Sequence, residues 1–150
     1  MTKSINDIIA SSIVEGVAVK DAAVIVNGDV LFTAVGDVEI INLFSECISA
    51  NDITASTVQY SITPTVGSAT AISGASASLA SALAGSTLTL DGTALSTAPN
   101  YATTGVSLGT IRGIVFKSGT LKVVVGVGST TGTWKHYLRY KPLESGAYVS

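Results

Sequence analysis

Residues 17–44 read VAVKDAAVIVNGDVLFTAVGDVEIINLF, and this stretch decides the class of fold. Runs rich in β-branched residues flank Asn27-Gly28, which is the strongest short-range signal of a β-hairpin. Gly36-Asp37 supplies the next turn. The stretch therefore predicts consecutive short β-strands joined by tight turns.

The stretch TVQYSIT, residues 57–63, alternates between polar and apolar side chains. Alternation with a period of two predicts a strand with one solvated face and one buried face. The predicted buried side chains are Val58, Tyr60 and Ile62. Pro64 ends this strand or places it at the edge of a sheet, because proline cannot donate a ladder hydrogen bond.

Three later segments also carry turn and strand signals. STLTL, residues 86–90, predicts a strand that is closed by a turn at residues 91–92. Residues 112–128 predict a hairpin around Ser118-Gly119. TWKHYLRY, residues 133–140, predicts a last strand that stops at a proline.

Helical signals are few. Leu79 and Leu83, followed by Gly85, have the spacing of a short helix that ends at a glycine. The N-terminal stretch SINDIIASSIVEG has isoleucines at helical spacing after a possible cap at Ser4. It predicts either a short helix or an extended docking arm.

Short strands with turn signals roughly every 8–12 residues predict an all-β fold. We expect one β-rich domain over residues 1–150, built as an antiparallel β-sandwich, a jelly-roll-like sandwich or a small barrel. At most one or two short helices accompany it. Residues 1–15 would form an N-terminal arm or short helix, and residues 96–113 a long loop or arm.

The composition is poor in charge and rich in apolar residues. Charged residues make up 12% of the chain and hydrophobic residues 47%, while the net charge is −2. The high apolar content excludes a disordered chain, and the apolar runs are too short for a membrane span. Either the exterior is coated with Ser, Thr and Gly, or neighbouring subunits cover much of it.

Charge is also distributed unevenly along the chain. Residues 1–91 hold two lysines and nine acids, whereas residues 92–143 hold six basic residues and no acid. The two parts either interleave and cancel within one fold, or present opposite signs that meet across a subunit boundary. Six scattered basic residues in an acidic chain argue against nucleic-acid binding.

The late strand separates two kinds of side chain. On a strand, residues 134, 136, 138 and 140 share one face and the alternate residues share the other. The first face predicts core, made of Trp134, His136, Leu138 and Tyr140. The second is a basic ladder with one aromatic, made of Lys135, Tyr137, Arg139 and Lys141. This ladder is either a solvated face or a partner-binding surface that contacts acidic neighbours.

Catalytic chemistry has little support in the sequence. His136 is the single histidine, and no local serine or cysteine motif accompanies it. Cys47 has no cysteine partner in the chain and is interpreted as a small buried side chain. A Cys47–His136 pair in space is the weaker alternative. We expect that the protein is not an enzyme and that it has no catalytic residues.

Cofactor and metal motifs are incomplete as well. GVGSTTG, residues 126–132, fits neither glycine-rich phosphate-binding pattern, and it predicts a wide hairpin turn instead. A zinc site lacks ligands because no second histidine or cysteine exists. Asp37 and Glu39 could hold calcium, but they fit no loop signature. We expect no cofactor and no metal.

The closing segment resembles the C-terminal part of small virion structural proteins of tailed bacteriophages. Those proteins share a glycine turn, an apolar strand, a Thr/Gly loop, a Trp-x-x-x-Leu-x-Tyr strand and a Pro-Leu-x-x-Gly-Ala tail. The matching positions here are Gly119, Leu121 to Val127, Gly128 to Gly132, Trp134, Leu138, Tyr140, Pro142, Leu143, Gly146 and Ala147. The match covers about a quarter of the chain and is structural in character.

The resemblance implies a capsid decoration (cement) protein that binds the major capsid protein and other copies of itself, commonly as a homotrimer. It implies a place on the capsid surface of the virion. The sequence shows no secretory signal, because Asn6, Asp7 and Glu15 interrupt any apolar core, so we expect synthesis in the host cytoplasm. Nucleic acid and membrane are not expected partners.

An alternative is a tail or head-fibre component with a glycan-binding module. A row of exposed aromatic side chains around a shallow site would favour this function. Tyr137, Tyr140 and Tyr148 could supply such a row.

Overall fold

The structure is a computed structural model that describes residues 15–103 and 113–150. These residues form strands and turns, and no helix in them is long and apolar enough to cross a membrane. The strands are β1 Gly16–Val26, β2 Val30–Val35, β3 Val38–Cys47, β4 Thr57–Pro64, β5 Thr70–Ala71, β6 Thr87–Thr89, β7 Asn100–Ala102, β8 Ile114–Phe116, β9 Gly119–Gly126, β10 Ser129–Pro142 and β11 Tyr148–Val149.

The strands form two antiparallel sheets. The front sheet has the order β1-β10-β3-β6-β7, and β8 also pairs with β3. The back sheet has the order β11-β2-β9-β4-β5. The predicted all-β antiparallel sandwich is therefore confirmed, and the small-barrel alternative is not formed because the strands lie in two separate sheets.

The strand order is that of a jelly roll. Strand β1 pairs with β10, β2 with β9, β3 with β8, and β4 with β5. These four pairs together form one long hairpin that is rolled up. As a result the successive pairs lie alternately in the front sheet and in the back sheet. Strands β6 and β7 are inserted at the edge of the front sheet, and β11 extends the back sheet.

The hairpin predicted at Asn27-Gly28 is half right. The chain does turn there, because the Asp29 N–H donates to the Val26 carbonyl at 3.0 Å and Gly28 has a φ of +88°. The flanking strands, however, lie in different sheets. The Asn-Gly signal reports a chain reversal, whereas the burial of both apolar faces decides which strand becomes the neighbour.

The hairpin predicted around Ser118-Gly119 is wrong for the same reason. Strand β8 pairs with β3 in the front sheet, while β9 pairs with β2 and β4 in the back sheet. Gly119 passes so close to β4 that an added Cβ would lie 2.3 Å from the Thr63 carbonyl oxygen. The segment is thus a crossing between sheets.

The short helix predicted from Leu79, Leu83 and Gly85 is also wrong. Leu79 is fully buried, whereas Leu83 is 65% exposed, so the two do not share one apolar face. The Leu79 carbonyl accepts hydrogen bonds from the Asn51 side chain at 3.0 Å and from the Ala82 N–H at 3.1 Å. The segment is a turn, held by tertiary contacts.

The structure describes only part of the two predicted arms. Strand β7 lies within residues 96–113, so the expected long loop contains a short strand paired with β6. Residues 104–112 and 1–14 lie outside the described residues, and the predictions made for them stay predictions.

The core lies between the two sheets. Its largest fully buried side chains are Trp134, Tyr60, Phe32 and Phe116, and the buried face predicted for β4 is confirmed. Strands β4 and β10 end at prolines, as predicted. Strand β10 is not the last strand, because β11 follows it.

Candidate interaction surface

Strand β10 carries the predicted two-sided pattern. Its inward side chains pack in the core, and none is more than 8% exposed: Trp134, His136, Leu138 and Tyr140. Its outward side chains lie on the outer surface of the front sheet: Lys135, Tyr137, Arg139 and Lys141. The separation into core face and ladder is therefore confirmed. Partner binding by the ladder stays a prediction.

An aromatic pair stands at the centre of the ladder. The rings of Tyr137 and Phe44 stack with 4.5 Å between centroids and 9° between planes. The Lys135 Nζ lies 5.5 Å from the centroid of the Tyr137 ring, which is within the range of a cation–π contact. Tyr137 is thus contacted on two sides, by the Phe44 ring and by the Lys135 ammonium group.

Carboxylates stand beside each basic residue of the ladder. Arg139 forms an ion pair with Glu15. Across the β10–β3 pairing, Lys135 lies opposite Glu46 and Lys141 lies opposite Glu39, at positions where Cβ atoms are about 4.5–5.5 Å apart. We call the outward side chains of β10 and β3 the ladder face: Lys135, Tyr137, Arg139, Lys141, Glu39, Asn42, Phe44 and Glu46. With Glu15, which pairs with Arg139, the three bases of this face stand beside three acids, so the surface is charge-balanced and not basic.

Exposed valines continue the surface onto β1, the edge strand of the front sheet. Val17 lies opposite Arg139 and is 61% exposed, and Val19 lies opposite Tyr137 and is 49% exposed. The free edge of such a strand presents backbone N–H and C=O groups that can pair with another chain.

Sequence reasoning did not assign Glu39, Phe44 and Glu46 to the ladder surface. The strand that carries them was predicted, and its alternation could have shown that they share one face. Only the pairing of β3 with β10, which are more than eighty residues apart in the chain, puts them beside the basic residues. That register is not readable from a single sequence.

A buried polar chain joins the two sheets behind the ladder. His136 Nδ1 lies 2.6 Å from Ser45 Oγ, and Ser45 Oγ lies 3.1 Å from the Tyr60 hydroxyl of the back sheet. Burial and the nearby Lys20 charge lower the pKa of His136 to about 4, against a raising effect of Asp29. Burial raises the pKa of Tyr60 to about 12, although the Ser45 hydrogen bond acts in the opposite direction.

Cys47 and His136 do not form a nucleophile–base pair through their hydrogen bonds. The Cys47 thiol donates to the Ser49 carbonyl at 3.2 Å, whereas His136 bonds to Ser45. Burial raises the pKa of Cys47 above its ordinary value. The thiol is therefore protonated at neutral pH and a poor nucleophile. Its interpretation as a small buried side chain is confirmed.

The calcium hypothesis finds no cluster of ligands. The Asp37 carboxylate accepts a hydrogen bond from the Ser118 N–H at 3.2 Å and so fixes the crossing between β8 and β9. Within residues 15–103 and 113–150, no group of three or more acidic, histidine or cysteine side chains surrounds a common point. Asp37 has a structural role here.

The glycine-rich motif at residues 126–132 is a turn. Val127 and Gly128 have φ angles of +68° and +87°, and β10 begins at the next residue. A strand follows the motif where a phosphate-binding loop requires a helix. The predicted turn is confirmed, although it joins strands of different sheets and not a paired hairpin.

The three tyrosines proposed for glycan binding do not form a row. Tyr140 is only 8% exposed and points into the core, Tyr137 lies on the front sheet, and Tyr148 lies on the back sheet. Side chains on opposite outer surfaces of a sandwich cannot contact one sugar. The aromatic row is therefore wrong.

A separate groove of about 540 Å³ opens where the edges of the two sheets approach each other. Apolar side chains line most of it, including Ile62, Ile72, Leu95 and Ile114, and Lys117 supplies a charge. The groove has the size of a ligand site, but the described residues that line it include no aromatic side chain and no second charged residue that would orient a ligand.

Comparison with known proteins adds no assignment to this geometry. No protein-family model matches the chain, and no curated protein or solved structure is detectably similar to it.

Proposed function

We propose that this chain is a non-enzymatic capsid decoration protein of a tailed bacteriophage, which self-associates and binds the outer surface of the major capsid protein. The proposal joins the sequence resemblance of the closing segment to the surface of the folded domain. The resemblance implies a homotrimer, and the number of copies is a separate question from the function.

One observation carries the proposal. Sixteen large apolar side chains of the described residues are at least 38% exposed, on a chain with 12% charged residues. They occur on both sheets and on the turns, for example Val17, Val66, Val115 and Val127. A surface with so much apolar area and so little charge favours a protein that other subunits cover.

The architecture is compatible with this function. Jelly rolls occur in viral capsid domains and also in lectins, so the fold by itself is only an analogy. A sandwich with exposed apolar turns at both ends offers several separate contact surfaces. Several weak contacts made by one oligomer add to a strong attachment, which stabilises a shell against internal pressure.

The glycan-binding alternative has less support. It required exposed aromatic side chains around one shallow site, and the tyrosines suggested for it are divided between the core and two surfaces. Binding to a panel of immobilised glycans would revive it.

The test uses heads of the phage whose genome carries this gene. Purified protein is mixed with heads that lack it, and the heads are sedimented. We expect the protein to co-sediment, to saturate at a constant ratio to the major capsid protein, and to raise the temperature at which the heads release DNA. A protein that stays in the supernatant and is absent from purified virions contradicts the proposal.

A further inference from the structure

The ladder face has a pattern that is complementary to itself. Three of the four outward rows across β10 and β3 join a base to an acid or an aromatic ring to an aromatic ring: Lys135–Glu46, Tyr137–Phe44 and Lys141–Glu39. The fourth row pairs Arg139 with Asn42. The bases and one ring stand on β10, while the acids and the other ring stand on β3. Exchanging the two strands would therefore match each residue of these three rows with its complement.

We propose that the ladder face binds a second copy of this chain, front sheet against front sheet. The two-fold axis runs parallel to the strands and midway between β10 and β3. A rotation about this axis exchanges the two strands but leaves each residue at its height along the sheet. Strand β10 of each copy then lies over β3 of the other, as an isologous interface requires.

This arrangement pairs opposite charges between the copies. Lys135 of one copy faces Glu46 of the other, and Lys141 faces Glu39. Because the axis applies the pairing in both directions, each contact occurs twice. Arg139 already has Glu15 as an ion-pair partner within its own chain. No like charges are brought together in these rows.

The same rotation brings apolar side chains of the two copies together at the centre of the interface and at its flank. Tyr137 of each copy lies over Phe44 of the other, so that two stacked pairs meet. Strand β1 lies over the opposite side of the second sheet, where β6 and β8 pair with β3. Exposed Val17 then approaches the neighbourhood of Val115, which is 51% exposed and lies in an adjacent row.

A second copy fits this face better than an acidic partner does. An acidic surface would meet the carboxylates of Glu15, Glu39 and Glu46 as well as the three bases, and like charges across an interface are unfavourable. The patch is about 20 Å wide across four strands and about 23 Å long over seven residues of a strand. That is small for an obligate interface, so we expect reversible pairing at micromolar concentrations.

The inference names one contact for the self-association that is part of the proposed function, and it is separate from capsid binding. A two-fold face gives pairs of chains whether or not the protein binds a capsid, and capsid binding does not require this face. Head sedimentation tests the function, and the association of the purified protein tests the face. The two can fail separately.

The experiment exchanges charges at one row. In the variants Lys135→Glu and Glu46→Lys, each homodimer would contain like charges at both copies of the row. We expect each variant alone to associate about tenfold or more weakly than wild type in sedimentation equilibrium. An equimolar mixture of the two should associate again as a heterodimer, because each row then holds opposite charges.

Two controls keep the result specific. Lys122→Glu makes the same charge change on β9 of the back sheet and should leave association unchanged. Urea unfolding of every variant checks that it folds. If a variant at this row fails to fold, Lys141→Glu with Glu39→Lys repeats the exchange at the other charged row.

Three results would overturn the inference. The first is wild-type protein that remains monomeric at about 300 µM. The second is a three-chain oligomer without even-numbered species. The third concerns the exchanged charges: the mixture of the two folded single variants fails to associate, whereas a chain that carries both substitutions associates. That pattern would show that Lys135 and Glu46 contact each other only within one chain.

Discussion

The Nδ1 atom of His136 lies 2.6 Å from the Ser45 hydroxyl oxygen, and this contact is the middle of a chain that crosses the core. Tyr60, on the opposite sheet, lies 3.1 Å from the same hydroxyl. One consistent set of donors has Tyr60 donating to Ser45 and Ser45 donating to a neutral imidazole. In this arrangement the two sheets are joined by hydrogen bonds in which His136 is uncharged.

Acid should destabilise the fold through His136. Its pKa is 6.5 in an unfolded chain and about 4 in the folded one, so the unfolded state binds more protons between these values. Stability from this group is complete above pH 6.5 and is lost as the pH falls towards 4. The limiting slope is about 1.4 kcal/mol per pH unit, giving a total on the order of 3 kcal/mol.

The measurement is urea unfolding at several pH values, followed by Trp134 fluorescence. His136→Gln keeps a neutral hydrogen-bonding side chain, so the difference between wild type and this variant isolates the histidine from the carboxylates. We expect that difference to change between pH 6.5 and 4 and to be flat above pH 7. A constant difference over the whole range would mean that His136 is not held neutral.

Ser45→Ala should be clearly destabilising. It removes the hydroxyl that joins Tyr60 to His136 and leaves both groups buried without this partner, at a cost of roughly 1–3 kcal/mol. Ser56→Ala is the matched control, because the Ser56 hydroxyl is equally buried but has no hydrogen-bond partner among the described residues. Its unfolding free energy should stay within about 0.5 kcal/mol of wild type. Equal losses in the two variants would contradict the polar chain.

Asn51→Ala should also weaken the fold strongly. The Asn51 Oδ1 accepts the Gly132 N–H at 2.7 Å and lies 3.4 Å from the Trp134 Nε1, and its amide donates to Leu79. We expect a loss on the order of 3 kcal/mol, because buried partners are left unpaired. Asn42→Ala is the control. The Asn42 Oδ1 is buried without a hydrogen-bond partner in the described part of the chain, so its loss should be smaller in the same assay.

Cys47 should react slowly with thiol reagents in the folded protein. The side chain is 1% exposed, and burial raises its pKa. We expect negligible reaction with a disulfide reagent at pH 8 on the time scale of minutes and complete reaction in urea. Rapid reaction in the absence of urea, with a rate that rises through a low pKa, would indicate an activated thiolate and would favour the Cys47–His136 pair.

The alternation of single strands could be predicted well. The inward faces of β4 and β10 follow from a period of two that Val58, Tyr60, Trp134 and Leu138 display without reference to the rest of the chain. The strand predictions that failed were those of the neighbouring strand. All three predicted hairpins, at Asn27-Gly28, at Ser118-Gly119 and at residues 126–132, are crossings between sheets, because a turn signal is local and a sheet neighbour is not.

The candidate interaction surface also has a part that could be predicted from the sequence and a part that could not. Lys135, Tyr137, Arg139 and Lys141 were readable as one row, since they alternate on one strand. The acids that neutralise the row were not, because β3 meets β10 only after the long hairpin has rolled up.

By itself the sequence determined where the longer strands lie and which side of β4 and β10 is apolar, since pleating directs successive side chains to opposite faces. Only the tertiary structure decided which strands are neighbours, and so which charges, rings and hydroxyls meet. Those pairings join residues dozens of positions apart, and they arise from the burial of both apolar faces at once, which no local pattern records.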